Sequence, residues 1–448
     1  MIKFSLSCIE CGEQLTVETE KDNIGRVKIT CTHCKEDNIY NLKLLAGQEV
    51  ENAKYNIVVL GKTGVGKSSL INYLYGIDVR ETGSGKPVTG KDFEKIEIKL
   101  NGLPTMIFDS WGIEADNADE WNRILARELN KRDIFSNLKD WFHTVFYCIS
   151  AGGGRVEDFE IDLINKFIAA KYKVNVIFTK ADQSSPEKIE KLKKVLNNKL
   201  KTKVKIIAVC NQEKELIGGE KIEAFGKAEV EKAIAEGFWD SIVMRIPKRC
   251  TQNLIKKLND WYSKQQRYIK EEFSFFSQKN VAEKINDEIK DFIEKLDKEI
   301  IGRVIFKELK EIIDFYNQIS QSYFKEINQK KIPSYRELLN HLKKSNDEDI
   351  NALTALLEGA VLAGGAALAT KGLGALLLFK IPILLPTAIA LLLIAIGKTD
   401  KNREKLKDDL KESRNKIADG IKEIEPKLEK MFIKIKKYQF QGIAEVND

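Results

Sequence analysis

The sequence predicts a multidomain protein in which an α/β domain with a mostly parallel sheet is followed by a helical domain. Three observations predict this architecture. Residues 1–46 hold short strand-like runs around four cysteines, residues 53–246 alternate β-rich runs with amphipathic stretches, and residues 248–448 carry apolar residues at helical spacing. Alternating strands and helices are typical of a parallel sheet, whereas recurrence at three and four residues is typical of packed helices.

The composition excludes several classes of protein. Of 448 residues, 43% are hydrophobic, and 74 Lys and Arg against 67 Asp and Glu leave a formal charge of +7. This charge is too small for a histone-like packer of nucleic acid, although it permits local basic faces. Seven cysteines, an odd number, argue against a secreted disulfide scaffold, and the opening residues carry no long apolar run. We therefore expect a reducing, cytoplasmic compartment.

Four cysteines near the N-terminus have the spacing of zinc ligands. Cys8 and Cys11 form one C-x2-C pair, Cys31 and Cys34 form another, and 19 residues separate the pairs. Each pair places two thiolates on one side of a tight loop, so two such loops can close a tetrahedron around Zn²⁺. A segment this short buries too small a core to fold by itself, and a bound metal ion would supply the missing stability. The spacing predicts a zinc ribbon over residues 1–46, with four free or redox cysteines as the alternative.

A phosphate-binding motif follows the first strand-like run of the central part. The run Tyr55–Leu60 leads directly into GKTGVGKSS and then into the apolar segment LINYLYG. This is G-x4-G-K-S between a strand and a helix, in which backbone N–H groups wrap phosphate oxygens, Lys67 reaches the β- and γ-phosphates and Ser68 ligates Mg²⁺. The predicted nucleotide contacts are Gly61, Lys62, Thr63, Gly64, Val65, Gly66, Lys67, Ser68 and Ser69.

A second motif predicts that the base is guanine. The strand-like run Val174–Phe178 ends in Thr179, Lys180, Ala181 and Asp182, which matches the T/N-K-x-D element of GTPases. The Asp182 carboxylate can accept two hydrogen bonds from guanine N1 and N2, whereas adenine lacks this donor pair and would leave Asp182 unpaired. The stem of Lys180 is expected to pack over the base. The sequence therefore predicts binding of GTP and GDP rather than ATP.

Two further segments supply the expected contacts to the γ-phosphate. Pro104–Phe108 leads into Asp-Ser-Trp-Gly, in which Asp109 would hold Mg²⁺ through water and the Gly112 N–H would touch the γ-phosphate. Thr89, in a glycine-rich segment, is the natural switch threonine that closes on Mg²⁺ and the γ-phosphate when GTP is bound. The predicted catalytic contacts are Lys67, Thr89 and Gly112, and the predicted direct Mg²⁺ ligands are Ser68 and Thr89.

Together these motifs resemble those of the TRAFAC class of GTPases, and more closely those of its Era-like, HSR1-related group, over residues 55–246. The resemblance implies a mostly parallel sheet flanked by helices, with the nucleotide at the carboxyl ends of the strands. Ala208–Asn211 stands where the last guanine-contacting loop is expected. Ile113 replaces the water-positioning Gln of Ras-type enzymes, and Gly64 replaces the Asn of potassium-using members. The group that orients the attacking water must then come from another residue, a bound cation or a second protomer, and we expect slow GTP hydrolysis that self-association or a partner stimulates.

Long helices with a packing seam are predicted for the C-terminal part. Residues 398–437 include 14 Lys or Arg and 9 Asp or Glu. Apolar residues recur there every seven positions and interleave at three and four: Leu410, Ile417, Ile421, Ile424, Leu428, Met431 and Ile435. This pattern is typical of a charged helix in a coiled coil or an antiparallel bundle. Pro426 is expected to kink or break the helix.

One compositional outlier lies inside the helical part. Residues 359–397 include 27 apolar residues, no acidic residue and two charges, Lys371 and Lys380. Ile381–Gly397 is uncharged, but as a helix it is slightly short for a hydrocarbon core of ~30 Å. The arm before it contains Lys371, and placing this charge at the centre of a bilayer costs free energy. We expect a hairpin that enters a lipid bilayer in part, with its lysines reaching the interface. A buried hairpin of the bundle or an oligomer interface is the alternative.

A GTPase head followed by a helical stalk with an apolar tip resembles the bacterial dynamin-like proteins and, more loosely, the immunity-related GTPases. This resemblance concerns architecture alone, without diagnostic motifs in the helical half. It implies a switch whose nucleotide state controls assembly into a homo-oligomer and association with a membrane, at its cytoplasmic face or partly inserted. The alternative is a soluble Era-type regulatory GTPase that acts on a ribosome or another nucleoprotein through the zinc ribbon.

Overall fold

The computed structural model describes residues 2–7, 13–19, 26–35, 37–41, 53–75, 93–100, 103–113, 118–215, 221–273, 278–323, 335–362 and 403–444. Cys8, Cys11, Thr89 and residues 363–397 of the apolar segment lie outside them. The chain divides into two compact units. The helical unit comprises Met1–Tyr40, Ile246–Ile313 and Lys331–Asp448, and the α/β unit comprises Asn41–Arg245 and Asp314–Lys330.

Two small β-sheets form the N-terminal segment. Strands β1 (Ile2–Ser7) and β2 (Gln14–Thr19) pair antiparallel, and β3 (Arg26–Thr30) and β4 (Asp37–Asn41) form a second two-stranded sheet. The second sheet closes around a tight turn, in which the Lys35 N–H donates to the Cys31 carbonyl oxygen at 3.0 Å. Each C-x2-C pair thus falls between the two strands of one sheet.

A six-stranded sheet forms the centre of the α/β unit. Its strands are β5 (Tyr55–Gly61), β6 (Glu94–Leu100), β7 (Leu103–Asp109), β8 (Thr144–Ser150), β9 (Val174–Thr179) and β10 (Lys205–Ala208). They lie in the order β10-β9-β8-β5-β7-β6, and β6 alone of these six runs antiparallel to its neighbour. The mostly parallel sheet predicted from the sequence is therefore confirmed. Its parallel strands end at one common edge.

Helices flank this sheet because their apolar faces cover its buried strands. They are α1 (Lys67–Tyr75), α2 (Ala118–Lys131), α3 (Asp158–Ala169) and α4 (Pro186–Lys199). A minor hairpin of β11 (Lys214–Glu215) and β12 (Lys221–Ile222) follows β10. The core of the unit contains β8 and β9 residues such as Tyr147 and Phe178 together with Leu196 of α4. This packing holds the carboxyl edge of the sheet in a defined geometry.

A buried histidine anchors the beginning of β5 and β8. His143 Nδ1 accepts a hydrogen bond from the Asn56 N–H at 2.9 Å, and its Nε2 lies 3.0 Å from the Leu138 carbonyl oxygen. Its ring stacks on those of Tyr55 and Phe315, with centroids 5.0 and 5.2 Å away. Burial lowers the pKa of His143 from 6.5 to about 3. The imidazole is therefore neutral in the folded protein at physiological pH.

We expect this histidine to make the α/β unit acid-sensitive. Since its pKa is lower in the folded than in the unfolded chain, unfolding takes up a proton below pH 6.5, and stability falls as the pH drops toward 3. At about 1.4 kcal/mol per pH unit, the loss between pH 6.5 and 5 is about 2 kcal/mol. Thermal unfolding of the wild type and His143→Gln, followed by tryptophan fluorescence, checks this. Equal pH slopes in the two proteins would contradict it.

Long helices make up most of the described chain after β12, as the sequence predicts. They are α5 (Lys227–Glu272), α6 (Gln278–Lys295), α7 (Ile301–Tyr323), α8 (Tyr335–Lys343), α9 (Glu348–Leu362), α10 (Arg403–Lys422) and α11 (Ile424–Ala444). A π-helical segment, Leu296–Ile300, joins α6 to α7. The predicted boundary near residue 247 falls inside α5, which contains Pro247. A proline inside a helix removes a backbone donor and crowds the preceding turn. The helix continues through it because its neighbours pack in the core, where Ile246 and Cys250 are fully buried.

The predicted apolar seam is buried. All of its residues are at most 2% exposed: Leu410, Ile417, Ile421, Ile424, Leu428, Met431 and Ile435. Helix α10 packs against α6, and α11 packs against α8 and α9, so the seam faces other helices of the same unit. The break between α10 and α11 falls at Glu423. Pro426 lies in the first turn of α11, where a backbone N–H is not needed.

In the part of the chain that the structure describes, no helix is both long and apolar enough to cross a membrane. Helix α9 ends at Leu362, after the first four residues of the apolar segment 359–397. The partial insertion of this segment into lipid therefore stays a prediction.

Candidate nucleotide-binding site

The loop between β5 and α1 has the backbone of a phosphate cradle. It runs from Gly61, which ends β5, to Lys67, which begins α1. Gly61, Gly64 and Gly66 have positive φ angles of 142°, 75° and 101°, a conformation in which successive N–H groups can line a concave anion site. A Cβ at Gly61 would come within 2.4 Å of the Cys148 carbonyl oxygen, whereas a Cβ at Gly64 would meet open space. The loop therefore leaves room for phosphate oxygens at Gly64.

Lys67 supplies a cation at this cradle. Its Nζ donates hydrogen bonds to the carbonyl oxygens of Gly61 at 3.2 Å and of Lys62 at 3.0 Å. Helix α1 begins at Lys67, so its positive dipole end and its first free N–H groups lie at the same point. A cation and a helix N-terminus together favour a phosphate, as the sequence predicts for this position.

The oxygen ligands expected for Mg²⁺ lie next to one another. Strands β5 and β7 pair in parallel with Val59 opposite Asp109, so Asp109 ends its strand beside the cradle. The Ser68 Oγ lies 3.5 Å from Asp109 Oδ2, and the aspartate is buried. A hydroxyl and a carboxylate beside a phosphate site are the hard oxygen ligands that Mg²⁺ takes. These residues fit the ion, while Thr89 lies outside the described residues.

The segment after Asp109 lies directly against the phosphate loop. The Ile113 N–H donates to the Gly61 carbonyl at 3.2 Å, and the Thr63 N–H donates to the Ile113 carbonyl at 3.4 Å. A Cβ on Gly112 would lie 2.3 Å from the Thr63 nitrogen, so only glycine permits this approach. The Ile113 side chain is 8% exposed and offers no hydrogen bond. The position after Gly112 therefore supplies no group that could orient water.

The T-K-x-D segment is joined to the phosphate loop by hydrogen bonds. The Thr179 hydroxyl donates to the Val65 carbonyl, and Lys180 Nζ donates to the Gly64 carbonyl at 2.7 Å. Lys180 has a φ of 53°, a left-handed conformation that turns the chain sharply at the end of β9. Asp182 follows in a short 3₁₀ turn, Ala181–Gln183, and is partly exposed. The fold thus brings the predicted base-reading residues beside the predicted phosphate-binding residues.

The last guanine-contacting loop occupies the expected strand end. The Val209 N–H donates to the Phe178 carbonyl at 2.8 Å, and the Ala181 N–H donates to the Val209 carbonyl at 3.1 Å. Cys210 then pairs with Phe225 through two backbone hydrogen bonds. The segment 208–211 therefore begins beside the T-K-x-D turn. Its contact with guanine stays a prediction.

One part of the site was missed in the sequence. The β8–α3 loop, residues 151–157, leaves β8 at the same edge as the phosphate loop, and Glu157 Oε1 lies 2.7 Å from Lys62 Nζ. Arg155 Nη2 lies 3.3 Å from the same carboxylate oxygen. The hydrogen bond from Lys62 lowers the pKa of Glu157, which keeps it charged. The signal in the sequence was the run AGGGRVE directly after a strand.

The structure describes only two of the four cysteines that are predicted to bind zinc. Cys31 is buried and Cys34 is partly exposed, whereas Cys8 and Cys11 lie outside the described residues. Among the residues that the structure describes, no group of three or more His, Cys, Asp or Glu could hold a metal ion. Zinc binding therefore stays a prediction.

The fold and the site together define a P-loop GTPase domain. Residues 56–212 match the protein-family model MMR_HSR1, described as a 50S ribosome-binding GTPase. The α/β unit thus contains an HSR1-like P-loop GTPase domain, as the sequence resemblance implies.

Several curated proteins are similar to part of this chain. The chain is 33% identical over 133 residues to the tRNA modification GTPase MnmE of Cupriavidus metallidurans, and the match covers 28% of this chain and 27% of that protein. It is 27% identical over 221 residues to the mitochondrial tRNA modification GTPase MSS1 of Saccharomyces cerevisiae, covering 46% and 41%. The chain therefore spans less than half the length of these curated relatives. Among solved structures, Toc33 from Arabidopsis thaliana in complex with GDP and Mg²⁺ is 19% identical, covers 42% of this chain and 84% of that chain, and has a TM-score of 0.32.

Proposed function

We propose that the protein is a switch that binds and hydrolyses GTP. One observation carries the proposal: the phosphate loop and the T-K-x-D turn, far apart in the sequence, meet through the hydrogen bond from Lys180 Nζ to the Gly64 carbonyl at 2.7 Å. Asp109 and Gly112 reach the same loop from β7. The family match over residues 56–212 supports this reading.

Each group of the site has a distinct role in this proposal. Lys67 moves from the carbonyl oxygens of its own loop to the β- and γ-phosphate oxygens and neutralises the charge that develops there. Ser68 and Asp109 would hold Mg²⁺, which when bound neutralises the β- and γ-phosphates and fixes their orientation. Asp182 selects guanine through the hydrogen bonds described above. Because Ile113 cannot orient water, intrinsic turnover is slow.

Phosphate release in the presence of competing nucleotides tests the function. The wild-type protein should release phosphate from GTP, and unlabelled GTP or GDP should compete with labelled GTP far better than ATP does. The reason is that ATP leaves the Asp182 carboxylate without its two donors. Equal competition by ATP and GTP would refute the guanine assignment.

The nucleotide state is further proposed to control self-assembly and membrane association, in the manner of dynamin-like proteins. The support is the composition of residues 359–397, with 27 apolar residues and no acid. An apolar run of this size must be covered by protein or lipid. In this proposal the protein is cytoplasmic and lies at a membrane surface or is partly inserted in it.

Introducing one acidic residue into the apolar segment 359–397 distinguishes insertion into lipid from burial in the helical bundle. We expect Leu392→Asp to leave the melting temperature near that of the wild type and to reduce co-sedimentation with liposomes. The matched control is Leu428→Asp in the buried seam, where an unpaired charge costs several kcal/mol and unfolds the bundle. A large fall in the melting temperature of Leu392→Asp, or no lipid binding by the wild type, would show that the segment is buried in protein.

A second candidate function rests on the N-terminal segment. Its two small sheets each carry one C-x2-C pair between their strands, which suits a zinc ribbon that contacts a ribosome or another nucleoprotein. Two of the similar curated proteins are named as tRNA modification GTPases, and these matches cover 28% and 46% of this chain. They support a GTPase that acts on a nucleic-acid partner, without support for the N-terminal segment itself. Flotation of the protein with liposomes would support the membrane-associated candidate, whereas co-sedimentation with ribosomes would support the candidate that acts on a nucleoprotein.

Metal analysis tests the zinc ribbon. We expect about one Zn²⁺ per chain, bound by Cys8, Cys11, Cys31 and Cys34, because four thiolates complete a structural zinc site. Cys34→Ser should lose the metal and unfold the N-terminal segment while GTP binding persists. Cys250→Ser, which removes a cysteine buried elsewhere, should keep the zinc. Protein purified without chelators that contains no zinc would refute the site.

A further inference from the structure

The formal charge of the chain is concentrated in one segment of the α/β unit. Residues 191–205, the basic segment, hold seven lysines and no acidic residue, and this charge equals the +7 of the whole chain. The rest of the chain is therefore neutral overall. Helix α10, by contrast, mixes seven Lys or Arg with five Asp or Glu. A surface with one sign of charge attracts a partner of the opposite sign.

The backbone that carries these lysines is fixed in place. The basic segment comprises the second half of α4, the turn after it and the first residue of β10. Asn165 of α3 holds the turn, because its Nδ2 donates to the Lys199 carbonyl at 3.3 Å and its Oδ1 accepts from the Lys201 N–H at 2.9 Å. The inner face of the segment is buried in the core through Leu192, Leu196 and Leu200.

Four of the seven lysines are available to a partner. The other three form ion pairs with acidic residues of the same unit, namely Lys193–Glu190, Lys199–Asp158 and Lys205–Glu236. In the described part of the chain, no carboxylate pairs with the remaining four, all of which are exposed: Lys191, Lys194, Lys201 and Lys203. The two acidic residues of α4, Glu187 and Glu190, precede the basic segment.

The basic segment lies away from the proposed GTP site. Helix α4 begins after the T-K-x-D turn, at the carboxyl edge of β9, and runs back to the amino edge of the sheet. Strand β10 begins there and pairs parallel to β9. The phosphate loop and Asp182 lie at the opposite, carboxyl edge. The four exposed lysines are therefore not part of the nucleotide site.

The chemistry of the surface favours a nucleic-acid duplex. The basic segment exposes charged and polar groups, and all of its apolar side chains are buried or half-buried. A helix that binds lipid uses exposed apolar residues, and proteins that bind single strands stack the bases on aromatic rings. All seven basic residues are lysines, which lack the planar fork with which arginine reads base edges. Such a surface suits phosphates and is insensitive to sequence.

The position of α4 favours RNA over DNA. Because its inner face is buried against the sheet, α4 cannot enter the major groove of B-DNA, which is about 8.5 Å deep. The minor groove of A-form RNA is wide and shallow and displays 2′-hydroxyl groups. Three exposed polar side chains lie among the lysines and can form hydrogen bonds to these hydroxyls: Asn197, Asn198 and Thr202.

We propose that the basic segment, residues 191–205, binds the backbone of double-stranded RNA. Lys191 and Lys194 lie three residues apart on one face of α4, with their Cβ atoms about 5–6 Å apart. Lys201 and Lys203 extend the charge along the turn, and contact with phosphates releases the counterions of the duplex. The proposal goes beyond the zinc-ribbon candidate, because it assigns RNA binding to α4 and requires neither zinc nor GTP hydrolysis.

Fluorescence anisotropy with a labelled RNA duplex tests the proposal. A duplex of about 20 bp is long enough, since double-stranded-RNA-binding domains span roughly 16 bp. The affinity of the wild type should fall as salt rises, with a logarithmic slope of about 0.9 for each phosphate neutralised, the value for a B-form duplex. Replacing Lys191, Lys194, Lys201 and Lys203 together with glutamine should lower this slope by about 3–4. The affinity at about 0.1 M salt should then fall at least about 100-fold.

Two controls show that the loss is local. The matched control removes four exposed lysines from α5 and should bind RNA like the wild type: Lys256→Gln, Lys257→Gln, Lys264→Gln and Lys270→Gln. Cys34→Ser should also keep RNA binding, because the basic segment needs no zinc. Isothermal titration with GTP should give the wild-type affinity in both quadruple variants, which shows that their α/β units are folded.

Four results would overturn the proposal. They are wild-type RNA affinity in the quadruple variant of the basic segment, no binding of the duplex by the wild type at low salt, and equal affinity for a DNA duplex of the same sequence. The fourth is binding to phosphatidylserine vesicles in place of RNA, lost in the same quadruple variant, which would identify a lipid-binding surface. Loss of RNA binding in Cys34→Ser alone would instead assign the RNA to the N-terminal segment.

Discussion

Replacing Lys67 with alanine should reduce the affinity for GTP by about 100-fold or more. In the structure, Lys67 Nζ donates to the Gly61 and Lys62 carbonyls at 3.2 and 3.0 Å, and these contacts show that the ammonium group reaches across the cradle. Hydrogen bonds to charged groups contribute roughly 1.5–3 kcal/mol each, and two such bonds to phosphate oxygens correspond to at least this factor. Alanine cannot replace either bond.

Isothermal titration with GTP and GDP measures the effect. Lys194→Ala, on the surface of α4, removes the same charge away from the cradle and should bind GTP like the wild type. Circular dichroism should show that Lys67→Ala keeps its helical content, since α1 begins with this residue and needs no side chain from it. Wild-type affinity in the Lys67→Ala protein would show that the phosphates bind elsewhere.

Replacing Asp182 with asparagine should change which base the protein binds. The carboxylate accepts from guanine N1 and N2, whereas asparagine would set its amide donors against the guanine amino group. Sites built around such bonds discriminate by about 10⁴–10⁵ against a ligand that lacks a partner. We therefore expect a loss of GTP affinity of at least about 10³-fold, together with a gain for xanthosine triphosphate, whose C2 oxygen is an acceptor.

A competition assay with GTP and xanthosine triphosphate measures this change in base preference. Gln183→Ala, one residue further along the same 3₁₀ turn, is the matched control and should keep the preference for GTP. If Asp182→Asn bound GTP as well as the wild type does, Asp182 would not read the base, and guanine specificity would have to come from the segment 208–211.

The two motifs that these variants probe were predictable because each is local. G-x4-G-K-S and T-K-A-D are short, continuous and placed at strand ends, and the chemistry of each follows from a few neighbouring residues. The seam of the C-terminal helices was predictable for a similar reason. A repeat of three and four residues can be counted directly, and its members from Leu410 to Ile435 are buried.

Other features could not be predicted in this way. The continuation of α5 through Pro247 is one of them, because a proline inside a helix removes a backbone donor and crowds the preceding turn, and only the packing of this 46-residue helix offsets that cost. His143 has no motif, and burial among aromatic rings, together with the charge of Arg245, lowers its pKa to about 3. Burial of a single polar side chain depends on contacts with distant parts of the chain, which no local pattern contains.

By itself, the sequence determined the class of fold, the phosphate and guanine motifs, and the helical character of the C-terminal part. Only the tertiary structure decided how these parts meet. The strand order β9-β8-β5-β7 brings Lys180 onto Gly64, seats Gly112 against Thr63, and places Arg155 and Glu157 beside Lys62. The physical reason is that motif chemistry is set by residues a few positions apart. The partners of a site, in contrast, are set by the order of the strands in the sheet. That order brings together residues more than one hundred positions apart, such as Val65 and Thr179, which are joined by a side-chain hydrogen bond.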